Sequence, residues 1–182
     1  MKSKTYPYVM TAFAAAIIAV LAQITIPLPL VPITGQTLAI GLVVTILGTK
    51  YGTLSVLVYI LLGAIGMPVF SGFSGGFAVL VGPTGGYIIG FLVQALVMGI
   101  YMDKLGYNYV QAIISNLLGM IVTLSFGTIW LKILANISWE AAFFSGVAPF
   151  IVVGIIKAII AAWVGIMVRN RLTTAKLLQQ FA

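Results

Sequence analysis

Long apolar segments make up most of the sequence, and short stretches rich in charge, proline or glycine separate them. A helix of about 20 apolar residues is long enough to cross a bilayer. We predict six membrane spans, at residues 9–26, 37–49, 52–65, 87–102, 109–131 and 148–168. The second and third spans are short and are separated by Lys50 and Tyr51 alone, so we expect them to form an antiparallel pair.

Two segments between the predicted spans are poor material for a lipid-exposed helix. Residues 24–36 contain Pro27, Pro29 and Pro32, and proline removes a backbone donor and disfavours helix before it. Residues 66–86 contain seven glycines and two prolines. Irregular backbone at membrane depth is tolerated only where protein or a polar cavity satisfies it. We therefore expect both segments to close a pocket, and residues 66–86 to move between open and closed states.

Composition supports an integral membrane protein. Of the 182 residues, 62% are hydrophobic and 6% are charged, whereas a soluble domain carries about 25% charged residues. Six spans leave little chain for a soluble domain, so we predict one transmembrane domain over residues 1–182. A signal peptide is the alternative for the run after Lys2 and Lys4. That run is long enough to span the membrane, and further apolar segments follow it.

The basic residues indicate how the chain is oriented. The net charge is +7, but the basic residues lie at the ends of apolar segments, which is a topology signal and not a nucleic-acid patch. Six spans with both termini on one side bring together Lys2, Lys4, Lys50, Lys104, Arg169, Arg171 and Lys176. Only Lys132 then lies on the opposite side. The positive-inside rule makes the N- and C-termini cytoplasmic, and the two irregular segments face outward.

The residue inventory excludes several kinds of chemistry. The chain has no Cys and no His, and Asp103 and Glu140 are its only side-chain carboxylates. We therefore expect no metal site, no cofactor and no enzyme acting on lipid or peptide bonds. The ATP-binding pattern GxxxxGK[ST] is absent. A self-contained ion-coupled carrier usually holds an acid inside the membrane, and none is visible here.

Lys157 is the most informative residue, because it lies near the middle of the sixth apolar segment. An ammonium group there costs about 3 kcal/mol or more to insert, so it must face a partner or a wet cavity. One alternative is that it snorkels or bonds to carbonyls of a neighbouring helix. Asp103 lies at the cytoplasmic edge and Glu140 in an outer loop, so neither is placed to neutralise it. A bound anionic ligand is the favoured counter-charge.

Two amides and one glycine-rich stretch are further candidates. Asn116, inside the fifth span, offers the donor and acceptor that a cyclic urea or amide requires. Gln94, inside the fourth, fits ligand contact and interhelical hydrogen bonding equally well. The stretch Gly82-Pro83-Thr84-Gly85-Gly86-Tyr87 precedes a helix start with free backbone N–H groups. It fits either a binding site or a turn with close helix packing.

Several motifs carry a family resemblance over nearly the whole chain. They are Pro32-Ile33-Thr34-Gly35-Gln36-Thr37, Gly66-Met67-Pro68-Val69-Phe70, Gly75-Gly76, and above all Gly82-Pro83-Thr84-Gly85-Gly86-Tyr87 with Gly90-Phe91. With these motifs the chain resembles the BioY family, the biotin-specific S components of energy-coupling-factor (ECF) transporters. In that family Pro-Phe near the sixth span tends to be followed by Asp and, three residues later, by Lys. Here Pro149-Phe150 is followed by Gly154 and Lys157.

The resemblance implies a function and a set of partners. It implies an all-α protein of six transmembrane helices in the bacterial cytoplasmic membrane, with a biotin site closed by outward loops. It also implies assembly with a transmembrane coupling protein and two ABC-type ATPases. The proposed partner interface is the alanine-rich face of the first helix, namely Ala12, Ala15, Ala16 and Ala19. Small residues at this spacing let another helix approach closely, although ordinary packing within the monomer uses them too.

Biotin has a carboxylate, an apolar thioether ring and a ureido group, so its site needs a cation, apolar walls and amide-like partners. The candidate walls are Phe70, Phe73 and Tyr87, the cation is Lys157, and the neutral hydrogen-bonding groups are Gln36, Thr84 and Asn116. Two alternatives stay open. The first is an S component for another small anionic vitamin, and the second is a self-contained membrane carrier.

Overall fold

A computed structural model describes residues 5–178 of the chain. Its helices are α1 (Tyr6–Ala22), α2 (Gln36–Ala64), α3 (Phe77–Val81), α4 (Gly85–Leu105), α5 (Tyr109–Ala135), α6 (Trp139–Gly146) and α7 (Ala148–Thr174). A 3-10 turn covers Ser71–Phe73, and two short antiparallel strands, β1 (Thr25–Ile26) and β2 (Ile33–Thr34), pair with each other. The predicted all-α membrane fold is confirmed.

Within residues 5–178, the stretches that are long and apolar enough to cross a membrane are α2, α4, α5 and the run Trp139–Thr174, which holds α6 and α7. Helix α1 is apolar but shorter. The predicted spans at 87–102, 109–131 and 148–168 fall inside α4, α5 and α7.

Helix α2 is a hairpin of two helical arms that meet at Gly48. The backbone of Gly48 has φ 78° and ψ −172°, which no α-helix contains. Gln36 Nε2 donates to Tyr59 Oη over 2.6 Å, whereas 23 residues of straight helix would span about 34 Å. The predicted antiparallel pair is therefore confirmed, with the reversal at Gly48 and not at Lys50 and Tyr51.

The α2 hairpin is the centre of the bundle. It packs against α1, α4 and α7, while α5 packs on α4 and α7. Small residues permit these close approaches, as is usual where no hydrophobic effect drives helices together in lipid. A methyl group added at Gly99 would lie 2.5 Å from the Thr49 Cα, and one added at Gly41 would lie 2.9 Å from the Ala161 Cβ.

Both irregular segments lie at the end of the bundle opposite Gly48, because they flank the two free ends of the α2 hairpin. Helix α1 ends at Ala22, four residues before the predicted end of the first span, and the chain then forms the β1–β2 ribbon. Residues 65–84 form a tight turn around the 3-10 element and then the short helix α3. The prediction that these segments are not transmembrane helix is confirmed.

The Gly48 end is cross-linked by polar side chains. The Asp103 carboxylate accepts hydrogen bonds from the Thr49 and Tyr107 hydroxyls. The Arg169 guanidinium donates to the Ile46 carbonyl over 2.5 Å and lies 3.4 Å from the centroid of the Tyr107 ring. Burial and the Asp103 carboxylate both raise the pKa of the Tyr107 hydroxyl above its usual range.

The start of α1 also lies at the Gly48 end, since the Tyr8 and Tyr51 rings meet edge to face at 6.3 Å. Lys50 follows Gly48 by two residues, Lys104 adjoins Asp103, and Arg169 bonds to Ile46 two residues before Arg171, so these basic residues share the Gly48 end, as the sequence predicted. Lys2 and Lys4 lie outside the described residues.

We predict that Gly48→Ala destabilises the protein by about 1–3 kcal/mol, because its φ and ψ fall in a region open essentially to glycine alone. The added methyl group would also lie 2.8 Å from the Tyr107 hydroxyl. Thermal unfolding in detergent measures the effect, with Lys50→Ala, an exposed change in the same turn, as the control. Equal melting temperatures for Gly48→Ala and Lys50→Ala would contradict the prediction.

Candidate functional site

A cavity of about 230 Å³ lies inside the bundle, in the half that faces away from Gly48. Its walls come from the β1–β2 ribbon, α2, the turn at residues 70–74, α4, α5 and α7. The polar lining residues are Thr34, Gln36, Thr37, Ser71, Ser74, Thr84, Tyr87, Gln94, Asn116, Thr123 and Lys157. The cavity is therefore polar on several sides, although apolar groups dominate its surface.

Lys157 extends from α7 into the cavity and is half-buried. Its ammonium group donates to the Thr34 carbonyl in β2 over 2.6 Å. This contact resembles the carbonyl bonding considered from the sequence, but the carbonyl belongs to the ribbon and not to a neighbouring helix. An ammonium has three donors, so two N–H groups are left for the cavity. Among the described residues that line the cavity, Lys157 is the only one with a formal charge.

Gln36 and Phe70, which line the cavity, are connected through the fully buried Tyr59 behind them. Gln36 is buried, donates from Nε2 to Tyr59 Oη and accepts from the Thr34 hydroxyl over 2.8 Å. The Phe70 ring is 1% exposed and packs edge to face on Tyr59, with centroids 5.5 Å apart. It occupies the space that the missing side chain of Gly63 leaves on α2. Phe70 therefore anchors the 70–74 turn to the second arm of α2.

The two amides inside the spans both face the cavity and both make helix-to-helix hydrogen bonds. Asn116 donates from Nδ2 to the Ala112 carbonyl over 2.9 Å and to Thr45 Oγ1 over 3.3 Å. Gln94 Oε1 accepts from the Thr123 hydroxyl over 2.5 Å, and its Nε2 meets only the Met98 sulfur, at 3.5 Å. Gln94 thus keeps a nearly unused donor at the cavity wall.

The glycine-rich stretch before α4 serves mainly for close packing. Added methyl groups would collide with the Leu80 carbonyl at Gly85 and with the Trp130 side chain at Gly86. Thr84 occupies the cap position of α4 without a side-chain cap bond, and it lines the cavity. Tyr87 is buried, donates to the Gly146 carbonyl over 2.9 Å and packs near Phe150.

The structure thus brings six of the seven predicted site residues to one cavity, and Phe73 is the exception. Its side chain is 72% exposed and its backbone has φ 56°. Phe73 lies at the tip of the 70–74 turn, where its N–H donates to Gln23 Oε1 over 2.8 Å, so its side chain points away from the lining. Phe91 and Phe150 provide the aromatic wall instead.

Sequence reasoning missed Phe91 and Thr123, and left Gln94 undecided. Helical spacing is a signal that identifies Phe91 and Gln94. They follow the predicted site residue Tyr87 at intervals of four and then three residues, along one face of α4. Gly154 also lines the cavity, one turn before Lys157, and the Met120 side chain fills the space beside it.

The alanines of α1 lie on two different faces. Ala12 and Ala16 are exposed together with Val9, Phe13 and Val20. Ala19 is partly buried, and Ala15 is 2% exposed and belongs to the monomer core. The assignment of Ala15 to a partner surface is therefore wrong, because the helical rotation between positions 12 and 15 turns it toward α2.

Comparison with known proteins places the chain in a family. The model of the BioY family matches residues 1–174. The chain is 43% identical to the "Biotin transporter BioY2" of Lactococcus lactis subsp. cremoris over 90% of each chain. It is 39% identical to the "Biotin transporter BioY" of Thermotoga maritima over 85% of this chain and 90% of that one.

A solved structure agrees in fold. The crystal structure of the S-component for biotin from an ECF-type ABC transporter superposes with a TM-score of 0.85, at 34% identity over 92% of each chain. These relatives are described as transporters or transporter components and not as enzymes. By sequence along 174 residues and by fold, this chain belongs to the BioY family.

Proposed function

We propose that this chain captures biotin in the cavity beside Lys157 and works as the S component of an ECF transporter in the bacterial cytoplasmic membrane. Its partners are a transmembrane coupling protein and two ABC-type ATPases. The observation that carries the proposal is the cavity itself. One ammonium group lies in an otherwise uncharged lining that combines apolar walls with amide and hydroxyl groups.

The lining matches the chemistry of biotin group by group. The Lys157 ammonium, half-buried and bonded to one carbonyl, supplies a positive charge to an anionic ligand. Phe91, Phe150 and Met120 offer apolar and thioether surface for the ring system. The Gln94 Nε2 donor, which meets only the Met98 sulfur, and the Thr84 hydroxyl suit a ureido group, which both donates and accepts. No covalent step is involved, so the chemistry is capture and release.

We propose six spans in this single substrate-binding domain: α1, the two arms of α2, α4, α5 and α7. The Gly48 end is assigned to the cytoplasm, because Lys50, Lys104 and Arg171 are exposed there. The cavity then opens to the outside, under the β1–β2 ribbon and the segment 65–84. The α2 arms are short for a bilayer core of about 30 Å, and these segments fill the remaining depth where protein surrounds them.

We predict that Lys157→Ala or Lys157→Met weakens biotin binding at least about tenfold, since loss of a partly desolvated ion partner is worth about 1.4 kcal/mol or more. Titration calorimetry of the purified protein in detergent measures the affinity. Lys132→Met is the matched control, because Lys132 lies at the end of α5 against the Trp139 ring and outside the cavity.

Unchanged affinity in Lys157→Met would remove Lys157 from the site, and a lowered melting temperature with intact affinity would give it a structural role. If the unmodified protein did not bind biotin but bound another small anionic vitamin, the proposed ligand would be wrong and the proposed binding site would still be correct.

We predict that biotin slows amide hydrogen exchange across residues 66–86. The glycines in this segment permit backbone movement, and its residues Phe70, Ser71 and Ser74 line the cavity, so ligand contact favours the closed form. Exchange followed by mass spectrometry with and without biotin measures this, with α5 peptides around residues 127–135 as the internal reference. Identical protection in both states would eliminate a moving lid.

We predict that Ala16→Trp leaves biotin binding intact and abolishes co-purification with the coupling protein and ATP-dependent uptake. Ala16 is exposed on α1 beside Ala12, and close helix approach in lipid depends on small side chains. The control is Ile133→Trp, an equally bulky change at an exposed position of α5. Loss of assembly in both variants, or loss of biotin binding in Ala16→Trp, would contradict the assignment of this face.

A further inference from the structure

One side chain, Gln23, fastens the end of α1 to the turn that lines the cavity. The two N–H groups of its Nε2 are shared among the Ala19, Val69 and Phe70 carbonyls, at 3.0, 3.3 and 3.1 Å. Its Oε1 accepts from the Phe73 N–H over 2.8 Å. A second link lies beside it, where the Thr25 and Ser71 hydroxyls are 2.9 Å apart. The contact therefore joins α1 to a segment nearly 50 residues later.

The fastened turn adopts an unusual conformation. Gly72 and Phe73 have φ values of 68° and 56°, and a bulky residue in the left-handed region persists only where its surroundings hold it. Within the turn, the Phe70 N–H donates to the Ser74 carbonyl over 2.9 Å, and the Ser74 hydroxyl to the Ser71 carbonyl over 2.8 Å. Gln23 supplies the contact from outside to the Phe73 amide at the tip.

The turn forms part of the cavity wall, through Phe70, Ser71 and Ser74. Helix α1 otherwise packs chiefly on α2, and it carries Ala12 and Ala16 on its exposed face. A displacement of α1 relative to α2 therefore acts directly on the turn, and through the turn on the closure of the cavity.

We propose that Gln23 is a positioning residue that makes the 70–74 turn follow the position of α1, so that a helix docking on the exposed face of α1 opens the cavity. The ligand and the docking partner in this proposal rest on the proposed function. Gln23 does not line the cavity, so its effect on the ligand acts through the turn.

The first test is the dissociation rate of biotin from the purified full chain with Gln23→Met, which keeps side-chain length and removes the hydrogen bonds. Losing several such bonds predicts release that is about tenfold faster or more, with an association rate that changes less than about threefold. Gln111→Met is the matched control, because Gln111 accepts from the Tyr101 hydroxyl over 2.7 Å, at the Gly48 end. It should release biotin at the unmodified rate.

The second test is rescue by a covalent link. The chain has no Cys, so Thr25→Cys and Ser71→Cys, added to the Gln23→Met variant, give a single thiol pair at positions whose hydroxyls already meet. Because Ser71 also lines the cavity, the comparison is made within this one variant: oxidation should slow biotin release about tenfold, and reduction should restore fast release.

Unchanged dissociation in Gln23→Met, or fast release that oxidation does not slow, would overturn the proposal. Hydrogen exchange gives a readout that needs no ligand. Residues 69–76 should exchange faster in ligand-free Gln23→Met than in Gln111→Met, and equal exchange would also overturn it. If the unmodified protein failed to retain biotin, the proposed function would fail, while the exchange experiment would still decide whether Gln23 holds the turn.

Discussion

The ammonium group of Lys157 sits on an apolar helix, where it requires polar partners that the neighbouring helices do not supply. The carbonyl of Thr34 provides one, and it is available because the chain leaves helical structure between Ala22 and Gln36. This hydrogen bond holds the proline-rich ribbon against α7. Once it is in place, the ribbon, α2, α4, α5 and α7 surround a space that none of their side chains fills. The contact between the half-buried Lys157 and the ribbon therefore helps to close the cavity.

The irregular backbone in this half of the bundle accounts for its other polar contacts. Irregular backbone at membrane depth must find hydrogen-bond partners inside the protein. Gln23 serves the carbonyls of Val69 and Phe70, the Gly63 carbonyl accepts from the Gly76 N–H over 2.7 Å, and Trp130 donates to the Gly82 carbonyl over 2.9 Å. Side chains and backbone groups of the helices thus provide hydrogen-bond partners for the backbone of segment 65–84, which has few regular hydrogen bonds of its own.

The sequence predicted the long helices, the two irregular segments and six of the residues that line the cavity, because apolar length, proline and a charge in an apolar run are local signals. It misplaced features that depend on rotation and on turn geometry. Ala15 lies one position from Ala16, yet it faces the core while Ala16 faces outward. Phe73 follows Gly72 through a left-handed pair that sends its ring away from the cavity, and composition carries no sign of that direction. The reversal of α2 was expected at Lys50 and Tyr51, the visible polar break, but Gly48 provides the backbone conformation it needs.

The two ends of the bundle are held by different kinds of contact, and this difference bears on which end can open. At the Gly48 end, the Asp103 carboxylate and the Arg169 guanidinium join α2, α4, α7 and the α4–α5 connection. Hydrogen bonds to ionised groups are roughly twice as strong as neutral ones. At the cavity end, the 70–74 turn is held by neutral bonds from Gln23 and Thr25 and by the Phe70 ring in the notch at Gly63. Each neutral bond contributes about 1 kcal/mol net, so the 70–74 turn is held less strongly than the Gly48 end, which agrees with a turn that moves while the opposite end keeps its structure.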